Sequence, residues 1–297
     1  MGRVIDIPDE LVATQIKYGK QAGRAFVAAL PGLVEEFLAR WDLSPTGPAM
    51  HGMAALVVPV ERADGTAAAL KFQAVDEETK GEAVALRLWG GAGAVRLLDA
   101  DEESGTMLLE RLDSARELSG MADSRAATLV VADLLARLTA GGAPDGMRQL
   151  ADIGAHMLAA LPGALETVGD PWERRLLADC GAALREVLPE PGDRLLHWDL
   201  HFGNVLGGVR EEWLAIDPKP LAGDPGFDLM PALHNRTDEA EVVWRFDAMT
   251  EVLGLDRERA RAWTLARALQ DFLWNIEDEE PLTVEDVIVA RLLLGRN

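Results

Sequence analysis

Apolar residues in the first forty positions recur at helical spacing. In the second of two such stretches, Leu33, Val34, Phe37, Leu38 and Trp41 share one face, which predicts a helix lying on a core. The run Ser44-Pro45-Thr46-Gly47-Pro48 ends it. The period then shortens. Positions 55–60 form a continuous apolar run, Asp64-Gly65 supplies a tight turn and 67–73 returns, so a β-hairpin is predicted. Alternation along the second strand puts Lys71 on the face opposite Leu70 and Phe72. A helix over 79–89 with Glu82 in its first half follows, then short strands at 95–99 and 106–110.

After Glu110 the pattern turns helical, with helices predicted over 124–139, 148–161 and 172–188 and again from Pro225 onward, interrupted by a strand-rich island at 194–217. A chain of 297 residues exceeds one comfortable core and suits two lobes. The predicted class is α+β: a mixed β-sheet lobe over 1–111, and a mostly helical lobe over 112–297, joined near Glu110 to Asp113.

The island carries the chemistry. Leu195-Leu196-His197-Trp198-Asp199-Leu200-His201-Phe202-Gly203-Asn204-Val205-Leu206 precedes Trp213-Leu214-Ala215-Ile216-Asp217-Pro218-Lys219. Two short strands joined by a turn bring Asn204 and Asp217 to the same end of a ribbon, with Asp199 on the loop before it. One carboxylate that orients a hydroxyl and takes its proton, beside an amide and a second carboxylate that hold Mg²⁺, is what phosphoryl transfer requires. Magnesium is a hard cation, and oxygen donors suit it.

H-x-D-L-H-x-G-N followed by I-D-P resembles the catalytic and metal-binding loops of aminoglycoside phosphotransferases and of choline and protein kinases. The stretch WLAIDPKPLAGDPGFDLMPALHNR is most similar to the streptomycin 6-kinase and hydroxyurea-kinase branch. That resemblance implies a two-lobed protein-kinase-like fold with ATP and Mg²⁺ as cofactors. It implies Asp199 as catalytic base and Asn204 and Asp217 as Mg²⁺ ligands. Lys71 would hold the α- and β-phosphates, Glu82 would pair with Lys71, and the backbone from Glu110 to Leu112 would bind adenine. Asp228 would brace the catalytic loop from the helix that follows. There are departures. Trp198 stands where the antibiotic kinases usually have glycine. No G-x-G-x-x-G precedes Lys71, and the candidate phosphate loop is Ala49-Met50-His51-Gly52-Met53-Ala54. Only eleven positions separate Lys71 from Glu82, so Glu77 and Glu78 compete for the pairing.

Other residues have plainer readings. His197 braces its loop, and His201 either braces or touches the acceptor. Asp224 before Pro225 is a helix cap. His51 and His156 are structural, and the eight tryptophans belong to the core. The single cysteine, Cys180, reads as a small buried hydrophobe and excludes a disulfide within the chain.

The net charge of −21 disfavours nucleic acid and anionic membranes as partners, and draws cations. Its plain meaning is solubility; its sharper one is a cationic small-molecule acceptor. Glu277, Asp278, Glu279 and Glu280 follow a helix predicted over 259–276, where carboxylates oppose the macrodipole. They read either as a solvated helix end or, on the family resemblance, as part of the acceptor pocket. His201, Asp228, Glu277 and Asp278 are thus the acceptor-side candidates. No signal peptide, lipidation signal or membrane-length apolar run is present, so a cytoplasmic monomer or homodimer is expected. The leading acceptor is a hydroxyl of a streptomycin-like aminoglycoside. The alternatives are an amino sugar, a nucleoside-like compound or hydroxyurea, or a catalytically silent nucleotide-binding relative.

Overall fold

The computed structural model describes residues 5–295. The chain divides into two compact units, one of residues up to 113 together with Gly208–Glu212, the other of 114–207 and 213 onward. No helix among the described residues is long and apolar enough to cross a membrane.

The first unit opens with α1 (Asp9–Tyr18) and α2 (Lys20–Arg40). The strands β1 (Leu43–Pro45), β2 (Met50–His51), β3 (Ala55–Arg62) and β4 (Ala67–Gln73) follow. Then come α3 (Glu82–Trp89), β5 (Leu97–Asp101) and β6 (Thr106–Glu110). The sheet order is β1-β3-β4-β6-β5, with β2 also on β3. Every pair in it is antiparallel, where a mixed sheet was expected. The chain passes through α3 to the far edge, lays down β5 and turns back, so β6 runs against both β5 and β4. Leu56, Val58 and Val60 of β3, Ala68, Leu70 and Phe72 of β4 and Leu108 of β6 form one face of the sheet. They pack with Leu11, Phe26, Leu30, Val34 and Phe37 of the two leading helices. Burial of such side chains contributes on the order of 1.5–3 kcal/mol each and fixes which face of β4 is apolar. Lys71 and Gln73 therefore take the other face, buried under α3.

Two boundaries shift for local reasons. The α3 helix starts at Glu82 rather than Thr79, because the Asp76 carboxylate accepts the amides of Glu78 and Thr79 and holds a turn there. The β5 strand starts two positions late, at Leu97, and has an irregular register between Leu97 and Asp99.

The second unit begins within β7 (Asp113–Glu117), one residue into the strand, and continues with α4 (Ser124–Leu138), α5 (Leu150–Thr167) and α6 (Pro171–Val187). Four three-residue strands follow: β8 (Arg194–Leu196), β9 (Val205–Gly207), β10 (Trp213–Ala215) and β11 (Leu221–Gly223). The unit ends with α7 (Met230–His234), α8 (Glu239–Leu253), α9 (Arg257–Glu277) and α10 (Val284–Leu293). Asp123 and Asp170 cap α4 and α6 by accepting first-turn amides. The α5 helix begins at Leu150, runs through Pro162 and ends at Thr167, six residues beyond the predicted end. The proline costs a helical hydrogen bond. Packing offsets this: Leu161 and Ala164 are buried, and Leu161 lies against Gly181 of α6, where a Cβ would sit 2.2 Å from Leu161 Cδ2.

The central element is α9, buried almost continuously from Ala260 to Gln270 and packed on α5, α6, α8 and α10. A helix enclosed on all sides must pair any charge it carries, and this one carries Arg267, bonded to Asp271 one turn on. Cys180 is buried, as read. Of the tryptophans, Trp172 and Trp274 are exposed, contrary to a uniform core reading.

Candidate active site

The strand β8 pairs with β11 and leads into His197, and β9 pairs with β10 so that Val205 stands opposite Ala215. The loop between β8 and β9 is tied at every step. His197 Nδ1 accepts the Asp199 amide at 3.3 Å, so its Nε2–H donates to the Ile216 carbonyl at 3.1 Å. Asn204 Nδ2 donates to the Asp199 carbonyl at 2.8 Å, and the Ile216 amide donates to the Asn204 carbonyl at 2.9 Å. His201 Nδ1 accepts the Gly203 amide at 3.0 Å. Both histidines thus act as braces.

Asp228 lies just before α7, on a short turn opened by Asp224, which caps it by accepting the Gly226 amide. Its two oxygens accept the amides of His197 at 2.8 Å and Trp198 at 2.6 Å. Burial pushes the Asp228 carboxyl up to about 7, against the pull of those two amides. A Cβ on Gly226 would lie 2.9 Å from the Ala260 Cα, so only glycine lets this turn lie flat on α9.

Burial drives His197 the other way, from 6.5 down to about 4. An unfolded histidine takes up its proton near 6.5 while the folded one resists until about 4, so the fold loses stability as pH falls through that window. Relative to His197→Gln, the wild type is expected to lose roughly 3 kcal/mol between those limits, read from urea unfolding at each pH. Parallel curves for the two proteins would mean that His197 is readily protonated in the fold.

The β9–β10 ribbon brings Asn204 and Asp217 to one end, next to Asp199. Asp217 has φ +57° and Trp198 φ +68°, a left-handed backbone that is strained for any residue with a side chain. The Asn204 amide nitrogen is committed to the loop, which leaves its oxygen as the acceptor end of the side chain. One amide oxygen and one carboxylate are the protein donors a magnesium ion takes when phosphates and water complete its octahedron, so these residues fit that ion. Among the described residues no group of three or more His, Cys, Asp or Glu side chains is placed to hold a metal.

Around Asp199 the structure adds Lys219, Arg148, Arg267 and Trp274 to the Trp198 already noted. Lys219 Nζ lies 3.2 Å from Asp199 Oδ2. Trp198 is buried, with the Arg148 guanidinium 4.2 Å and the Arg267 guanidinium 5.5 Å from its ring centroid, and Trp274 edge-on at 5.9 Å. Its indole Nε1 has no hydrogen-bond partner among the described residues. Burial works against the charge of Arg267, but Asp271 and the more distant Asp199 and Asp286 raise its pKa overall. His234 bonds Asp286 at 2.6 Å, which raises the imidazole above its ordinary value. The acids turned inward are therefore Asp271 of α9 and Asp286 of α10. Glu277 ends α9, and Asp278, Glu279 and Glu280 continue as a turn; all four are exposed. No local signal marks Asp271 or Asp286. Only the helix packing sets them apart from the other acids of the chain.

In the first unit, Lys71 Nζ bonds both Glu82 oxygens, at 2.7 and 2.8 Å, and Gln73 donates to the same carboxylate at 2.7 Å. All three are buried. The competitor Glu77 pairs with Lys80 on the surface. Glu110 binds Arg210 at 2.7 Å and the Arg96 amide at 2.7 Å, while its own amide donates to Arg96. Leu112 is buried. Gly52 closes the β2–β3 turn through its amide to the Ala55 carbonyl and has open space around it. His51 bonds Glu10.

The backbone superposes on a choline/ethanolamine kinase family protein from Mesorhizobium loti with a TM-score of 0.59 at 17% identity, over 88% of this chain and 95% of that one. The fold is therefore of the protein-kinase-like class. The family described as "Aminoglycoside/hydroxyurea antibiotic resistance kinase" matches residues 40–279. A hydroxyurea phosphotransferase of Kitasatospora aureofaciens is 62% identical across 100% of this chain and 88% of its own length. A streptomycin 6-kinase of Streptomyces glaucescens is 53% identical across 99% of this chain and 98% of its own. The chain belongs to this family of resistance kinases and is a phosphotransferase of the aminoglycoside type.

Proposed function

We propose that the enzyme moves the γ-phosphoryl group of ATP, with Mg²⁺, onto a hydroxyl of a cationic, streptomycin-like acceptor. The observation that supports this reading is the closed hydrogen-bond circuit through Asp199, Asn204, Ile216 and His197, which ties the loop of Asp199 to the ribbon that Asn204 and Asp217 flank. Asp199 orients the acceptor hydroxyl and takes its proton. Asn204 and Asp217 hold the ion, which when bound neutralises charge on the phosphates. Lys71, oriented by Glu82, grips the α- and β-phosphates; the Glu110 to Leu112 backbone receives adenine and the turn at Gly52 covers the phosphates. Asp228 fixes the loop through the amides preceding Asp199. On the acceptor side, the half-buried Asp271 and the buried Asp286 supply negative charge, with Glu277 and Asp278 as an outer acidic rim. The enzyme works in the cytoplasm.

A second acceptor has specific support. The 62% identity to a hydroxyurea phosphotransferase exceeds the 53% to a streptomycin 6-kinase. Hydroxyurea is small and neutral, so salt separates the two. For a polycationic acceptor, kcat/KM is expected to fall several-fold as ionic strength rises, because steering is screened over about 8 Å at physiological salt. Replacing Glu277, Asp278, Glu279 and Glu280 by amides is expected to raise KM for the cation and leave KM for ATP unchanged. A coupled ADP-release assay over streptomycin, hydroxyurea and neutral sugars reads both. Turnover confined to hydroxyurea, with no salt dependence, would overturn the cationic reading.

A further inference from the structure

Lys219 sits between Pro218 and Pro220, on the segment that leads from the metal ribbon into β11. Its amide donates to the His197 carbonyl at 3.0 Å. Its carbonyl accepts from Arg148 Nη2 at 3.1 Å, and the same guanidinium lies over the Trp198 ring. Both backbone groups are thus committed and two proline rings limit the flanking dihedrals. One arginine thus holds the Lys219 carbonyl and covers the ring of Trp198, the residue before Asp199. What this rigid segment delivers is an ammonium 3.2 Å from Asp199 Oδ2, with 27% of the lysine side chain and 26% of the aspartate side chain still open to solvent.

A partly exposed ion pair adds little stability. So much backbone anchoring for so weak a contact points to the cation itself. A loose phosphoryl transition state spreads negative charge over its equatorial oxygens and is stabilised chiefly by charges already in position. The stretch from His197 to Gly208, which carries Asp199 and Asn204, contains no lysine or arginine. We propose that Lys219 is a further catalytic residue whose ammonium contacts the transferring phosphoryl group. Asp199 takes the hydroxyl proton as the acceptor oxygen bonds to phosphorus and the bridging oxygen departs with ADP. Lys219 keeps its three protons throughout and exchanges none. Before the acceptor arrives, it holds the Asp199 carboxylate aimed.

This inference rests on the assignment of Asp199 as base and of the ribbon as metal site, and its test separates the two. Calorimetry of MgADP, with and without aluminium fluoride as a mimic of the transferring group, is run on wild type, Lys219→Met and Lys219→Arg. MgADP affinity is expected to stay within about threefold in all three, which also shows that each variant is folded. Aluminium fluoride is expected to tighten the wild-type complex, and Lys219→Met to lose on the order of 100-fold of that gain, the magnitude typical of one lost charge-stabilising donor. Lys219→Arg is expected to keep most of it. Full tightening in Lys219→Met would overturn the assignment of Lys219, even if its kcat were low, since the lysine would then merely position Asp199. Absence of tightening in the wild type would overturn the phosphoryl-transfer site as well.

Discussion

Asp199→Asn is expected to lower kcat by roughly 10²–10⁴-fold, the usual worth of a positioned general base, while MgATP affinity changes less than about threefold. The substitution is nearly isosteric. An asparagine oxygen can still accept from Lys219 Nζ, and the tie from Asn204 Nδ2 runs to the main-chain carbonyl of residue 199, not to its side chain. The loop should therefore keep its shape, as should the amides of His197 and Trp198 on Asp228. What disappears is the ability to take a proton. An equal loss of kcat and nucleotide affinity would mean that the loop had moved; a near-normal kcat would assign the base elsewhere.

The second large effect is expected at Asp217. Changing even an outer partner of a metal ligand typically costs 10–100-fold in affinity, and a direct ligand should cost at least as much. Asp217→Ala should weaken MgATP binding on the order of 100-fold and metal-free ATP binding by no more than a few-fold. Alanine also leaves a non-glycine residue at φ +57°, so the backbone strain is retained and does not confuse the comparison. Calorimetry with and without Mg²⁺ reads the difference directly. Equal losses in the two conditions would reduce Asp217 to a residue that shapes the ribbon.

The parts of this fold that could be read from sequence are those whose signal is local. The β3–β4 hairpin has its Asp64-Gly65 turn, and α4 and α6 have their aspartate caps. The ribbon bearing Asn204 and Asp217 is two short strands around one turn, and its consequence follows from chain geometry alone. The rest depends on distant neighbours. The strands β7 and β11 have five and three residues and no apolar alternation to announce them; β9 and β8 make them strands. The passage of α5 through Pro162 depends on Gly181 of another helix. The setting of Asp199 is assembled in the same way. Arg148 and Arg267 come from stretches far from Trp198 and Lys219, and no spacing in the sequence links those two arginines to Asp199. The acidic run from Glu277 to Glu280 was conspicuous because its charges are consecutive. The acids that packing draws inward, Asp271 and Asp286, stand singly.

The central claim is that this chain transfers the γ-phosphoryl group of ATP to an acceptor hydroxyl in a step that needs Mg²⁺ and Asp199. Its most direct test is γ-labelled ATP incubated with the enzyme and streptomycin or hydroxyurea, with Mg²⁺ or with chelator, and the acceptor isolated and analysed by mass spectrometry and phosphorus NMR. The account predicts one labelled phosphoryl group, esterified to an acceptor hydroxyl, formed by the wild type with Mg²⁺ and nearly absent with chelator or with Asp199→Asn. Label appearing only as inorganic phosphate, or on the acceptor at an undiminished rate in Asp199→Asn, would contradict it.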